Sequence, residues 1–244
     1  MRNIMLKLCY DGTDYHGFQR QENGITIQQV VEEAIKKVTC ETVTITGCSR
    51  TDAGVHAMEY VCNFKTESTV PEDKFCFAIN SYMPEGISCT ASKEVSEDFH
   101  SRYSAKSKTY VYSIYNAPHK NPILCRFAWH YPIKIDVEKM KVAAVQIVGT
   151  HDFTAFMASG GQQKTTVKTV NFLDITQDEN QIFISINADG FLYNMVRIIA
   201  GTLVYAGTGK LAPESILDII KSGDRTLAGI TAPPQGLCLK EIFY

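Results

Sequence analysis

The spacing of apolar residues in this chain changes from every second position to every third or fourth and back, and the same order of changes occurs twice. Few folds accept such a doubled pattern. In the first pass, residues 3–10 alternate as a strand does, and DGTDYHG turns away from it. Thr26 and Gln29 form a capping box ahead of the amphipathic segment IQQVVEEAIKKV. TVTITG (42–47) and MEYVCNFKT (58–66) are rich in β-branched and aromatic residues and read as strands. Pro71, followed by Glu72 and Asp73, opens a helix to about Tyr82, and ISCTASKEV (87–95) closes the unit as a strand. The order is β-α-β-β-α-β.

The second pass repeats it. TYVYSIY (109–115) is a strand, and Asp136 caps a helix over VEKMKVAAVQIV (137–148). TVKTVNFLDIT and QIFISINA form a hairpin around Gln177–Asn180, FLYNMVRIIAGTLVYAG is a long apolar helix, PESILDIIK is a short extra one, and LCLKEIFY is the last strand. The expected fold is α+β: two ferredoxin-like βαββαβ units with antiparallel sheets side by side and a central cleft. The expected domains are residues 1–104 and 105–244. A cleft between two such sheets is where an enzyme would put its chemistry.

A length of 244 residues suits one large domain or two small ones and is enough to bury a core, and 45% hydrophobic with 20% charged residues excludes a disordered chain. No apolar run is long enough to span a bilayer. The N-terminal MRNIMLKLCYDG is broken by Lys7 and has no small-residue cleavage site, so it reads as a strand rather than a signal peptide. The eight cysteines are scattered, without a CxxC or a zinc-like cysteine–histidine spacing, and most lie in apolar runs. A reduced, cytoplasmic, metal-free protein is expected.

The net charge of −2 argues weakly against nucleic acid, but its distribution does not. Between Asp98 and Asp136 there is no acid, while Arg102, Lys106, Lys108, Lys120, Arg126 and Lys134 fall in that interval. Lys164 and Lys168 are the only charges between Asp152 and Asp174, and Arg197 and Lys210 the only ones between Asp189 and Glu214. Such patches suit a polyanion. Solvated faces with acidic neighbours from elsewhere in the fold explain them equally well.

Four stretches look costly for a purely structural chain. YDGTDYHGFQRQ (10–21) offers Tyr15, Phe18, Gln19 and Arg20 to a base, or else is a polar turn with its aromatics tucked inward. GCSRTDAGVHA (47–57) holds Asp52, with Gly54 to bend the backbone after it and Arg50 and His56 as possible partners. On spacing alone an aspartate in such a turn more often caps backbone amides than does chemistry. FHSRYSAKSKTYVY (99–112) interleaves Arg102 and its neighbouring lysines with Tyr103, Tyr110 and Tyr112, a stripe suited to phosphates and bases, with Arg102 a candidate substrate contact. A half-buried strand with a basic outer face is the plainer reading. In DGFLYNMVRIIAG (189–201), Arg197 falls within an apolar helix, where it either snorkels or needs an anion. Asp52 is a candidate for that anion.

Taken in order, GCSRTDAGVHA, FHSRYSAKSKTYVY, GTHDF, FLYNMVR and AGITAPPQGLCLKEIFY resemble the TruA family of tRNA pseudouridine synthases over nearly the whole chain. The resemblance implies conversion of uridine to pseudouridine at positions 38, 39 and 40 of tRNA, by a homodimer that uses no cofactor or required metal. It places the essential aspartate at Asp52 and the active-site tyrosine at Tyr110, stacked on the uracil and able to remove the C5 proton. On that footing Arg197 would keep Asp52 ionised, Arg50 would fill the space the target leaves, and Leu237 would wall the pocket. The chain departs from the family at Ala188 and Asp189, where glycine and asparagine are usual, and at Lys168, often arginine. A paralogue with the same chemistry on another RNA and a non-catalytic RNA-binding module are the alternatives. A hydrolase or phosphotransferase using Asp52 lacks a second carboxylate for metal or acid work.

Overall fold

The computed structural model describes residues 1–161 and 165–244, so Lys164 lies outside the described residues. The chain is mixed α/β, with ten strands and five α-helices among the described residues. It divides into two compact units, one of Met1–Lys106 with Leu239–Tyr244 and the other of Ser107–Cys238. No helix among the described residues is long and apolar enough to cross a membrane.

The first unit contains β1 (Arg2–Tyr10), α1 (Ile27–Thr39), β2 (Thr46–Gly47), β3 (His56–Thr66), α2 (Phe75–Asn80) and β4 (Ile87–Val95). Its strands run β4-β1-β3, followed by the end of the last strand, with β2 hydrogen-bonded to β3. β1 is antiparallel to both neighbours, Leu6 facing Cys62 on one side and Ser92 on the other. The alternation along β1 buries Ile4, Leu6, Leu8 and Tyr10. Thr26 caps α1 by accepting the Gln29 N–H, and Phe75 of α2 meets Phe64 of β3 edge-on at 5.7 Å. Cys48, Cys62, Cys76 and Cys89 are buried here as small apolar groups, and burial pushes the Cys89 thiol up to about 12.

The expected strand over 42–47 shrinks to Thr46–Gly47. The reason is a competing partner. Glu32 of α1 accepts the Ile45 N–H at 3.1 Å, and Gln28 donates to the Ile45 carbonyl at 3.4 Å, so side chains take groups a ladder would need.

The second unit contains β5 (Ser107–Asn116), β6 (Trp129–Tyr131), α3 (Val137–Val145), β7 (Gly149–Asp152), β8 (Val167–Asp178), β9 (Gln181–Ala188), α4 (Met195–Gly207), α5 (Ile216–Ser222) and the start of β10 (Leu237–Phe243). Its strands run β5-β9-β8-β7, all antiparallel. β6, which sequence reading did not find, lies parallel to β5 with Ile114 opposite Trp129, so the expectation of purely antiparallel pairing fails at that edge. The helix expected from Phe191 begins only at Met195, because Asn194 takes a left-handed φ of 60° that a continuous helix cannot pass through. Arg197 therefore sits in the first turn of α4, not its middle.

Candidate active site

Asp52 lies on a tight turn whose flanks are both tied to the loop after β1. Val55 N–H donates to the Asp52 carbonyl at 3.2 Å, with Gly54 at a left-handed φ of 77° between them. On the near side, Thr51 accepts the Phe18 N–H at its carbonyl (3.1 Å), and its hydroxyl pairs with that of Tyr10 at 2.8 Å, out of water. On the far side, Gly54 N–H reaches the Tyr15 carbonyl at 3.4 Å. Phe18, buried, stacks on Tyr60 with ring centroids 4.2 Å apart, and the Tyr60 hydroxyl donates to the Ser49 carbonyl. Asp52 itself is half-buried and Arg50 exposed.

These contacts show one task of residues 10–21. Phe18 is tucked inward, and Arg20 is exposed but gives its guanidinium to Glu32 at 2.8 and 3.2 Å. The loop is a brace for the Asp52 turn. His56 belongs to it: buried, its Nδ1 accepts the Gly12 N–H at 3.1 Å and lies 3.1 Å from Asp11 Oδ1. Gly17 leaves no room for a side chain, with φ at 80° and an added Cβ 2.5 Å from the Thr51 carbonyl oxygen. Gly17→Ala should therefore lower stability by roughly 1–3 kcal/mol, read as an earlier urea midpoint at unchanged slope. A midpoint equal to wild type would show that the brace yields without cost.

The second unit carries Tyr110, Arg197 and Leu237. Tyr110 is buried in β5, with the Phe191 ring edge-on at 5.1 Å. Arg197 is half-buried and clamps the segment before β10: its Nε donates to the Ala232 carbonyl at 2.7 Å, its Nη1 to Asn194 Oδ1 at 2.8 Å, and its own carbonyl accepts the Ala232 N–H at 3.1 Å. That approach depends on Gly201, where a Cβ would lie 1.9 Å from the Ile230 carbonyl oxygen. Further along, Thr202 accepts the Gly229 N–H at 2.8 Å, Arg225 donates to the Gly229 carbonyl, and Tyr112 donates to the Pro233 carbonyl at 2.8 Å. Burial raises the Tyr112 phenol above its ordinary range, an effect the nearby Arg197 charge opposes. Leu237 follows this stapled loop and is buried at the start of β10.

Asp52, Arg50 and Arg102 thus belong to the first unit, and Tyr110, Arg197 and Leu237 to the second. Tyr110 and Tyr112 are both buried on β5, as a shared strand face requires. Arg102 is exposed, its guanidinium 5.7 Å from the Tyr103 ring. Sequence reading missed Tyr10, Thr51 and Asn194. Only Asn194 left a local signal, as an asparagine just ahead of an apolar helix. Among the described residues, no group of three or more histidine, cysteine or carboxylate side chains is placed to hold a metal ion.

The sequence model of the tRNA pseudouridine synthase family matches residues 8–104 and 143–244. The chain belongs to that family. A protein of Thermoanaerobacter sp. (strain X514) named tRNA pseudouridine synthase A is 51% identical over 244 residues, covering all of both chains. One of Clostridium perfringens (strain 13 / Type A), named tRNA pseudouridine synthase A 2, is 52% identical, again over the whole of both. Among solved structures, a chain of the archaeal box H/ACA sRNP Nop10-Cbf5 complex covers 95% of this chain and 58% of its own length at TM-score 0.37 and 9% identity, a likeness too slight to bear on fold or function. The family match includes Asp52, Arg50, Arg102, Arg197 and Leu237, while Tyr110 falls in the unmatched interval and is covered by the full-length relatives. The departures at Ala188 and Asp189 are accommodated structurally: Ala188 is fully buried, and Asp189 accepts the Thr169 N–H at 3.2 Å.

Proposed function

We propose that this chain isomerises uridine to pseudouridine in the anticodon arm of tRNA, at positions 38, 39 and 40, with Asp52 as nucleophile. The observation that carries the assignment is the bracing of the Asp52 turn from both sides, which fixes a carboxylate without burying it fully. In the reaction the N1–C1′ bond breaks, the uracil turns in the pocket, and a C5–C1′ bond forms. The C5 proton leaves and N1 gains one, so substrate and product are isomers. Covalent attack by Asp52 on the base or the ribose divides this into easier steps. Tyr110 stacks on the uracil and takes the C5 proton, and Leu237 supplies an apolar wall. Arg197 pairs with Asp52 through a charge-assisted hydrogen bond. Arg50 occupies the stack vacated by the flipped nucleotide, and Arg102 meets the RNA backbone. On this reading residues 1–104 form one ferredoxin-like half, which brings the aspartate loop, and residues 105–244 form the other. The resemblance adds a cytoplasmic homodimer that needs no cofactor.

Pseudouridine mapping in total RNA from cells lacking the protein tests the assignment. Loss at positions 38–40 of tRNA supports it, and loss confined to another RNA replaces it with a paralogous target. Binding should also weaken steeply with salt despite the net charge of −2. Arg102→Ala should flatten the slope of log affinity against log salt by roughly 0.7–0.9. Affinity unchanged across the titration would remove the basic stretch from the interface.

A further inference from the structure

We infer that the turn at residues 99–104 is a stacking platform for RNA, in which the Tyr103 ring receives an unpaired base or ribose and Arg102 meets the adjoining phosphate. The inference rests on the reading of the protein as an RNA-modifying enzyme and adds a contact away from the reacting uridine. Its first support is the ring's position. Tyr103 is 77% exposed, whereas Tyr10, Tyr60, Tyr110, Tyr112 and Tyr131 are all buried.

The second support is that the backbone carrying this exposed ring is tied down. Ser101, fully buried beneath it, donates its N–H to Asn63 Oδ1 at 3.0 Å and its hydroxyl to the Thr46 carbonyl, and accepts from the Tyr244 hydroxyl at 2.8 Å. His100 closes the turn from above. Its Nδ1 accepts the main-chain N–H groups of Arg102 and Tyr103 at 3.2 and 3.3 Å, and the His100 main-chain N–H donates to Ser104 Oγ at 3.2 Å. The His100 ring lies 4.3 Å from that of Tyr103 and the Arg102 guanidinium 5.7 Å from it. A ring on a backbone fixed in this way leaves only its side-chain rotamer to be ordered when a base stacks on it.

Charge selects the occupant and its direction. Arg102 is exposed beside the ring, and no acid follows in the sequence until Asp136. Glu41, Glu67, Glu97 and Asp98, with Lys65 and the Met1 ammonium as the cations among them, line a groove of about 580 Å3 that reaches His100. The carboxylates outnumber the cations there and disfavour phosphate, so the RNA backbone runs along Arg102 and away from the groove. Thr46, which anchors Ser101, also begins the short strand leading to Gly47 and the Asp52 loop, so platform and nucleophile turn share one foundation.

The test uses the full chain with unmodified tRNA transcript. Tyr103→Ala should raise the tRNA Kd about tenfold, within the range that base–aromatic stacking contributes, with kcat/KM falling in step. Tyr103→Trp and Tyr103→Phe, which keep a ring, should restore affinity to within about twofold, and Tyr82→Ala, which removes a 55% exposed tyrosine elsewhere, should leave it unchanged. An unaltered Kd for Tyr103→Ala overturns the platform. So does a change in sedimentation without a change in Kd, which would make the ring a contact between copies of the chain. A wild-type protein that binds tRNA but forms no pseudouridine defeats the catalytic assignment instead and leaves these affinities to be judged on their own.

Discussion

Asp52→Asn should lower pseudouridine formation by at least about 1,000-fold, roughly 4 kcal/mol of barrier, while the tRNA Kd stays within about threefold. Asparagine keeps the size of the side chain and can still accept hydrogen bonds, but it cannot act as an anionic nucleophile. The main-chain ties on either side, to Phe18 and Tyr15, do not involve the carboxylate, so the turn should keep its shape. Tritium release from C5-labelled uridine measures the rate, and filter binding measures affinity. Residual activity within about tenfold of wild type, a change of only about 1.4 kcal/mol, would end the nucleophile assignment.

Arg197 should be the second most sensitive position, for two separable reasons. Its guanidinium bridges Asn194 and Ala232 within its own unit, and it is the proposed partner of Asp52. Lysine keeps the charge but is a single point donor that cannot reproduce the fork. Arg197→Lys should cut kcat about 100-fold, roughly 2.7 kcal/mol, with tRNA affinity little changed. Arg197→Ala should cost about 1,000-fold in kcat, and in addition roughly 1–3 kcal/mol of stability from the unsatisfied Asn194 and Ala232 groups. Stability lost in both variants with kcat intact would leave Arg197 as a staple for the loop before β10 and nothing more.

Elements with local causes were legible in the sequence. β1 could be read because Ile4, Leu6, Leu8 and Tyr10 obey period two, and α1 because Thr26 sits where a cap belongs. Where a distant group intervened, local reading failed. Nothing within 42–45 announces that Glu32 will take the Ile45 amide, and nothing in FLYN says that Asn194 will adopt positive φ and delay α4. The site divides the same way. Asp52 and Gly54 mark a turn by themselves, and an arginine among apolar residues draws notice. The service of residues 10–18 as a brace depends on Tyr10 meeting Thr51 forty-one positions away. Equal weight on base contact and inward packing was all that segment could support alone.

The brace also bears on which partner must change shape. Phe18 and Tyr15 bind the Asp52 turn through main-chain groups, and Tyr10 and Tyr60 anchor that turn directly to β1 and β3. A peptide segment tied to the sheet at these points has little slack of its own. On the proposed assignment of Asp52, induced fit therefore falls on the nucleic acid: the helix opens and the nucleotide swings out to the carboxylate.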